Sequence, residues 1–527
     1  MNRTNILWIT VLALGWLFDF LFWGHPWGIN FAIYVVLCLT GGLLVLGLNG
    51  IKTSWKTLLL LVPILFFAVI TFIRLEPMSM FLSFTFTLGS MGLMAVTYLG
   101  GRWLWYSLSD YVLKALKLAG SMIARPLMFF TESRKATPAQ NVTGPRPGTK
   151  RFWAILRGVL IAIPVVAIFA ALLSSADLVF AQRVQDFVKL FRLENLPQYI
   201  FRSVYILIGA YALAGVFLHA ALKSQDEKLV GMDKPLIVPF LGFTEASVVL
   251  GAVVVLFALF AVVQFRYFFG GLTNISIQGY TYAEYARRGF SELVIVAFFS
   301  LLLFLGLSGI VKRQTATQRW IFSGLGLGMV ALVGVMLLSA FQRLLLYETA
   351  YGFSRIRIYT HVFMIWLGLL LVAVVVLDIL RRERTFALAV LLASIGFAAT
   401  LALLNVDGFI VRQNVARAPD GKGLDVAYLA SLSTDSVPML VGEFQDQALP
   451  GLTRDAVGAA LVCYEQESSS RGDNNWRSFT LSNWWADQAL NKVQSQLDKY
   501  QVVEKEWPIK ILTPGNLDYD CYQTGGM

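Results

Sequence analysis

QRLLLYETAYGFSRIRIYTH, Gln342 to His361, sets Arg343, Tyr347, Glu348, Tyr351, Arg355, Arg357, Tyr359 and His361 between two long apolar runs. Hydrogen-bonding groups this dense beside hydrocarbon are costly unless they pair with one another or with water. The knot is therefore a candidate site, and the apolar runs flanking it decide the fold class.

Hydrophobic residues make up 57% of the chain and charged residues 14%, and the mean hydropathy is +0.66. A soluble domain carries roughly 45 to 50% apolar and about 25% charged residues. The chain reads as all-α, a polytopic membrane helix bundle with interfacial helices and a small, mostly helical C-terminal extramembrane domain. Runs near the ~20 residues that a bilayer core requires fall at 5–23, 28–48, 56–74 and 78–99. More follow at 153–174, 199–222, 237–265, 289–311, 319–341, 359–379 and 385–404, about eleven in all. The first run ends in the bulky FDFLFWGHPWG without a small-residue cleavage site, so it reads as a span rather than a signal peptide.

Between 104 and 123 the polar residues Ser107, Asp110, Lys114, Lys117 and Ser121 recur every three or four positions. That stripe suits a helix lying in the membrane interface or against the bundle. Residues 179–193 are amphipathic in the same sense, with Phe180, Val184, Phe187, Val188 and Phe191 on one face. The Pro-, Thr- and Arg/Lys-containing stretch 131–151 reads as a linker. Four segments follow: a first membrane block (1–130), the linker (131–151), a second membrane block (152–404) and an acidic C-terminal domain (405–527). Gly324, Gly326 and Gly328 lie mid-span with no preceding strand, which points to helix packing and not to a nucleotide loop.

Charge sets the expected sidedness. Residues 405–527 hold 10 Lys+Arg against 16 Asp+Glu, net −6, while the rest holds 33 against 16, net +17. A basic membrane part reflects lipid headgroups and the positive-inside rule rather than nucleic acid. Arg3, Lys52, Lys56, the linker cluster, Lys312, Arg313, Arg319, Arg381 and Arg382 gather on one side, expected to be cytoplasmic. The N-terminus is then inside, and the C-terminal domain outside, a bacterial inner membrane. This sidedness puts four polar stretches on the outer face together. One holds Asp177; the second holds Tyr282, Glu284, Arg287 and Arg288, with Thr281 and Glu284 at capping-box spacing. The third is the knot, and the fourth holds Asp407, Arg412, Asn414 and Arg417. They converge either into one pocket or into one rigid cap.

The motifs YAEYARRGFSEL, RLLLYETAYGFSRIRIYTHVFMIWL, NVDGFIVRQNVAR and GKGLDVAYLASLSTDSVPML carry a resemblance. Over roughly residues 150 to 450 the chain resembles a family of bacterial multi-pass membrane proteins defined only as a domain of unknown function. The resemblance implies a membrane fold with an outward polar motif set and supplies no catalytic residues. The first four spans and the end of the tail match nothing by motif.

Other residues carry narrower expectations. His219 and Glu245 lie at similar depth, where a hydrogen bond between them would serve as a polar clasp or a proton relay. Arg157 and Arg202, near span ends, are expected to snorkel. Pro164 and Pro239 are places where a helix can break. In the tail, Thr453 is expected to cap one helix and Ser482 another, with Leu490, Val493, Leu497 and Tyr500 inward. Trp484 and Trp485 suit a small core or the membrane interface. Cys463 and Cys521 are either a disulfide, as an extracytoplasmic domain favours, or two unrelated thiols. The three histidines form no metal-binding pattern, and no P-loop, nucleophile elbow or haem-ligand pair is present. No cofactor or metal is expected; the expected partners are membrane lipids and a protein of the envelope, with no nucleic acid. Three functions remain open. A non-enzymatic envelope protein binding a partner or ligand through the outer cluster is favoured. A transporter or lipid flippase would use a midplane cavity. A membrane enzyme acting on a lipid-linked or envelope substrate would use Glu284, Glu348, Asp407 or Asp177 as acid or base.

Overall fold

A backbone in hydrocarbon has to satisfy its own N–H and C=O groups, so the long apolar runs become helices. The computed structural model describes residues 3–135, 196–225, 239–268, 290–418, 424–468, 475–504 and 509–522, with single positions between. The helices of the membrane part are α1 (Thr4–Phe22), α2 (Ile29–Leu48), α3 (Trp55–Leu58), α4 (Leu61–Ile73), α5 (Pro77–Val96), α6 (Leu108–Lys135), α7 (Leu196–Leu222), α8 (Phe243–Phe268), α9 (Phe290–Ile310), α10 (Ala316–Tyr351), α11 (Arg355–Ile379) and α12 (Phe386–Leu404). Among the described residues, 10 stretches are long and apolar enough to cross a membrane, α3 and α4 together forming one. Side chains such as Val62, Leu338 and Ile356 are about 70% exposed on these helices, as lipid-facing positions require. The protein is a multi-pass membrane protein. The runs at 153–174 and 179–193 fall outside the described residues apart from single positions.

The third span breaks between α3 and α4, three residues ahead of where Pro63 lies in the chain's next turn. Proline has no N–H and its ring clashes with the carbonyl four residues back, here Leu59. Pro239, a break expected from sequence, merely precedes α8, and Pro164 lies outside the described residues. The amphipathic helix α6 is opened by a reciprocal cap: Asp110 Oδ2 accepts from the Ser107 N–H at 3.0 Å, and Ser107 Oγ accepts from the Asp110 N–H at 3.3 Å. It continues to Lys135, into the segment expected to be linker.

The chain forms two compact units, Met1–Phe20 with Ala119–His219, and Leu21–Leu118 with Ala220–Met527. In the first, Arg202 Nε donates to Asp19 Oδ1 at 2.9 Å, and the Tyr205 hydroxyl donates to the same carboxylate. Arg202 is thus paired between α1 and α7 instead of snorkelling, because a buried Asp19 offers it a partner at its own depth. Gly15 lets α1 and α7 approach: a Cβ there would stand 2.8 Å from the Ile206 carbonyl oxygen.

In the second unit α2, α4 and α5 share one apolar core and α8 to α11 another. A third core runs from Ile358, Val362 and Leu401 on α11 and α12 directly into the C-terminal helices. Those are α13 (Val406–Arg417), α14 (Val426–Ala430), α15 (Val437–Gln445), α16 (Gly451–Ser468), α17 (Leu481–Asn491) and α18 (Gln494–Leu497). An antiparallel sheet, β1 (Gln501–Glu504), β2 (Lys510–Leu512) and β3 (Asp518–Asp520), completes the domain in that order. Its strands are too short to show alternation in sequence. Leu490, Val493, Leu497 and Tyr500 are buried. Neither expected cap forms: the Thr453 hydroxyl donates to the Ala418 carbonyl, and Ser482 lies inside α17 against Thr434. Cys463 on α16 is joined by a disulfide to Cys521 beyond β3.

The 58-residue separation makes this crosslink a large constraint on the unfolded chain. Reduction, or Cys521→Ser, should cost the domain about 2 to 4 kcal/mol, read as a lower unfolding midpoint of its tryptophan fluorescence in detergent. An unchanged midpoint would show that the bond adds nothing.

Candidate functional site: a polar clasp at the Gly352 corner

At 1.5 Å per residue α10 is about 54 Å long, more than the ~30 Å of a hydrocarbon core. The knot lies at its C-terminal end and in the first turns of α11. Gly352 closes α10 with φ +79°, a conformation open to glycine. A Cβ there would also stand 2.7 Å from Asn414 Oδ1. Asn414 explains the tightness: its Oδ1 accepts from the Phe353 N–H at 2.7 Å and its Nδ2 donates to the Phe353 carbonyl at 3.0 Å. The corner is clamped from α13.

The charges then pair off. Arg355 donates through Nε to Asp407 Oδ1 at 2.8 Å and through Nη2 to Oδ2 at 2.7 Å. Oδ2 also accepts from the Ser433 N–H at 2.8 Å, and Asp407 is wholly buried. The Arg355 N–H donates to the Tyr428 hydroxyl at 3.1 Å. Beside this pair the Tyr359 hydroxyl donates to Glu76, which caps α5 by accepting from the Met78 and Ser79 N–H groups at 2.9 and 2.7 Å. Asp435 Oδ2 in turn accepts from the Leu75 and Glu76 N–H groups at 2.8 and 2.9 Å. Arg74 lies 3.8 Å from its Oδ1 and donates to the Ala402 carbonyl at 3.0 Å. Asn405, at φ +51° between α12 and α13, accepts from the Gly408 N–H and donates to the Asp435 carbonyl. Five segments are thus tied to one another: α5, α11, α13, the 405 turn and the 433–436 turn.

Other knot residues extend outward from this clasp. Arg357 donates to the Gly352 carbonyl and stacks 4.2 Å over the Tyr347 ring, while Tyr347 and the exposed Tyr351 have ring centroids 4.9 Å apart. Arg417 Nη1 donates to the Thr349 carbonyl at 3.3 Å. Arg343, lower on α10, donates to Gln264 on α8 at 2.9 Å. Glu348, wholly buried, has Oε2 3.0 Å from His361 Nε2. Its Oε1 and His361 Nδ1 have no hydrogen-bond partner among the described residues.

The described contacts of the other expected members are local ones. Arg412 is exposed on the far face of α13, its charge facing Glu443. Asp177 lies in the first unit, exposed, accepting from the Phe180 N–H. Tyr282, Glu284, Arg287 and Arg288 lie outside the described residues. His219 Nδ1 is 2.7 Å from Ser121 Oγ within the first unit, and within the second the exposed Glu245 accepts from the Gly242 N–H at 2.9 Å. Sequence reasoning missed Arg74, Glu76, Asn405, Tyr428, Ser433 and Asp435. The signal for Glu76 was its place directly before Pro77, an N-cap followed by proline at the first helical position.

The clasp leaves two openings. A cavity of about 170 Å³ lies beside Arg357, Asn414, Arg417 and Tyr428. A cleft of about 520 Å³ lies on the other side of Asp435, lined by Arg74, Gln445, Trp484, Trp485, Gln488 and Lys492. Burial raises the Asp435 carboxyl above its ordinary value; Ser482, the Leu75 and Glu76 amides and the Arg74 charge offset this only in part.

Removing one partner of a buried ion pair costs about 3 to 5 kcal/mol, whereas replacing both with apolar groups costs far less. Arg355→Ala and Asp407→Ala should each cause that loss in denaturant unfolding, and Arg355→Met with Asp407→Leu should be milder than either. For Asp435 the folded pKa exceeds the unfolded 3.8, so the folded state binds the proton better. Its contribution is present below 3.8 and is lost as the pH rises through the folded value. Asp435→Asn keeps an acceptor for the two amides, and its stability should fall less than the parent's as the pH rises from about 4 to about 7.

The family described as Domain of unknown function (DUF4153) matches residues 61–442. The match starts at the head of α4, well before the region where the motif resemblance begins, and so takes in Arg74 and Glu76. No curated protein and no solved structure matches the chain. The matched stretch is most of the chain and holds every residue of the clasp, and the chain belongs to this family.

Proposed function

We propose that the chain is a non-enzymatic protein of the bacterial inner membrane that presents a fastened extracytoplasmic domain and binds a ligand or partner in the cleft beside it. One observation carries this reading: Asp407 and Glu76 are buried with both carboxylate oxygens taken by internal donors. Carboxylates so occupied hold structure together and do not meet a substrate. The open face is the neighbouring cleft, where Trp484 and Trp485 are 47% and 39% exposed and Lys492 and Gln488 stand at the solvent side. Exposed aromatics edged by a cation and amides are a usual makeup for a binding surface.

The sidedness rests on the Lys and Arg distribution along the spans and on the Cys463–Cys521 disulfide, since such bonds persist in oxidising compartments. The apolar core shared by α11, α12 and the C-terminal helices supports a domain held without a flexible linker.

Two measurements on intact cells test the reading. A membrane-impermeant maleimide should label Gln447→Cys, an exposed position, before permeabilisation; labelling only afterwards would reverse the sidedness. Photoreactive p-benzoylphenylalanine in place of Gln488 should yield a discrete adduct that Lys492→Glu abolishes. With normal expression and no adduct, the cleft is not a binding surface.

A further inference from the structure

The opposite end of α10 and α11 has a different character. The turn between α9 and α10 and the end of α11 enclose a cavity of about 660 Å³, lined by Lys312, Arg313, Arg319, Trp320, Asp378 and Arg381 among others. Its volume is that of a small-ligand site. Asp378, the one carboxylate among the described residues of the lining, is already matched: Arg313 Nη1 lies 3.3 Å from Oδ1, and the Ser323 hydroxyl donates to Oδ2. Arg313 is further fixed by the Ser308 carbonyl at 2.9 Å and by the Phe322 ring. Arg319 Nε donates to the Arg313 carbonyl at 3.3 Å, and among the described residues of the lining no further carboxylate faces Lys312, Arg319 and Arg381.

Two further features shape the site. Arg381 adopts φ +57°, a conformation that favours glycine and is uncommon for a long side chain. Arg381 is the left-handed residue that ends α11, where the Arg382 N–H donates to the Leu377 carbonyl at 2.8 Å, and this turn sets Arg381 in the cavity lining. The mouth is also apolar: Trp320 and Ile379 line it, exposed by 70% and 47%, and Leu380, next in the chain, is exposed by 58%. The amides at the start of α10 are not the attraction, because Thr315 and Gln318 cap them reciprocally. The spans begin at Ala316 and end at Ile379, so the cavity lies at headgroup depth.

We propose that this cavity binds the phosphate of an anionic phospholipid, with Lys312, Arg319 and Arg381 around the phosphate and the acyl chains along Trp320, Ile379 and Leu380. Basic pockets between membrane helices suit such headgroups, and a soluble phosphate would gain nothing from the apolar mouth. The assignment is independent of the cleft at the other end and of which side faces the cytoplasm.

The test uses the full-length protein in detergent with added phosphatidylglycerol or phosphatidylcholine, read by native mass spectrometry. Phosphatidylglycerol should be retained in preference, and Lys312→Gln with Arg381→Gly should cut that retention roughly tenfold or more. Glycine suits φ +57°, so this variant should fold; an unchanged unfolding midpoint in phosphatidylcholine serves as the control. Lys312→Arg should retain the lipid. Wild-type retention by the folded double variant would overturn the site. Displacement of the lipid by inorganic phosphate at equal concentration would overturn the lipid assignment and make the ligand a soluble phosphate.

Discussion

Asp407 has no contact with solvent, and an ionised carboxylate in that position must find its donors inside the protein. It finds them on two separate segments: both arms of Arg355 at the start of α11 and the Ser433 amide. Since Asp407 itself stands in the first turn of α13, one side chain fixes the geometry among a membrane helix, the helix leaving the membrane and a turn of the C-terminal domain. The corner at Gly352, its Asn414 clamp and the Tyr428 contact all follow from holding Arg355 in that place.

The second buried carboxylate chain repeats the device on α5. Glu76 is shared between its own helix amides and Tyr359, and Asp435 receives the two amides just before that helix. Buried ion pairs add little net stability compared with well-packed apolar residues. What they do here is restrict which arrangement of helices satisfies every donor. The apolar core shared by α11, α12 and the C-terminal helices then supplies the cohesion, and the polar chain supplies the registration.

The membrane spans were legible because ~20 apolar residues in a row have few other uses, and the corner was legible because polar groups stood where they should be expensive. The partners were not. Glu76 and Asp435 are isolated charges in short turns, and nothing in a linear pattern tells that residues separated by more than 350 positions will meet. Depth along a span likewise does not fix rotation about it, so sequence alone does not show that His219 meets Ser121 or that Glu245 accepts from the Gly242 amide. Arg202 was misjudged for the same reason, its partner Asp19 being on a helix far away in sequence. The break before Pro63 was overlooked because the run of apolar residues continues through it unbroken.

The two ends of α10 spend charge in opposite ways. At Gly352 the cations of the corner have acceptors: Arg355 a carboxylate, Arg357 a carbonyl and a ring, Arg417 a carbonyl. At the other end, among the described residues, one acid is matched by one arginine and Arg319 has a carbonyl, while Lys312 and Arg381 line open volume. A charge that is already satisfied can only position its neighbours, whereas a charge facing a cavity lowers the energy of whatever anion enters. Density of polar residues in sequence therefore led to the fastener, and the open volumes proposed as binding sites lie beside it and at the far end of the same helices.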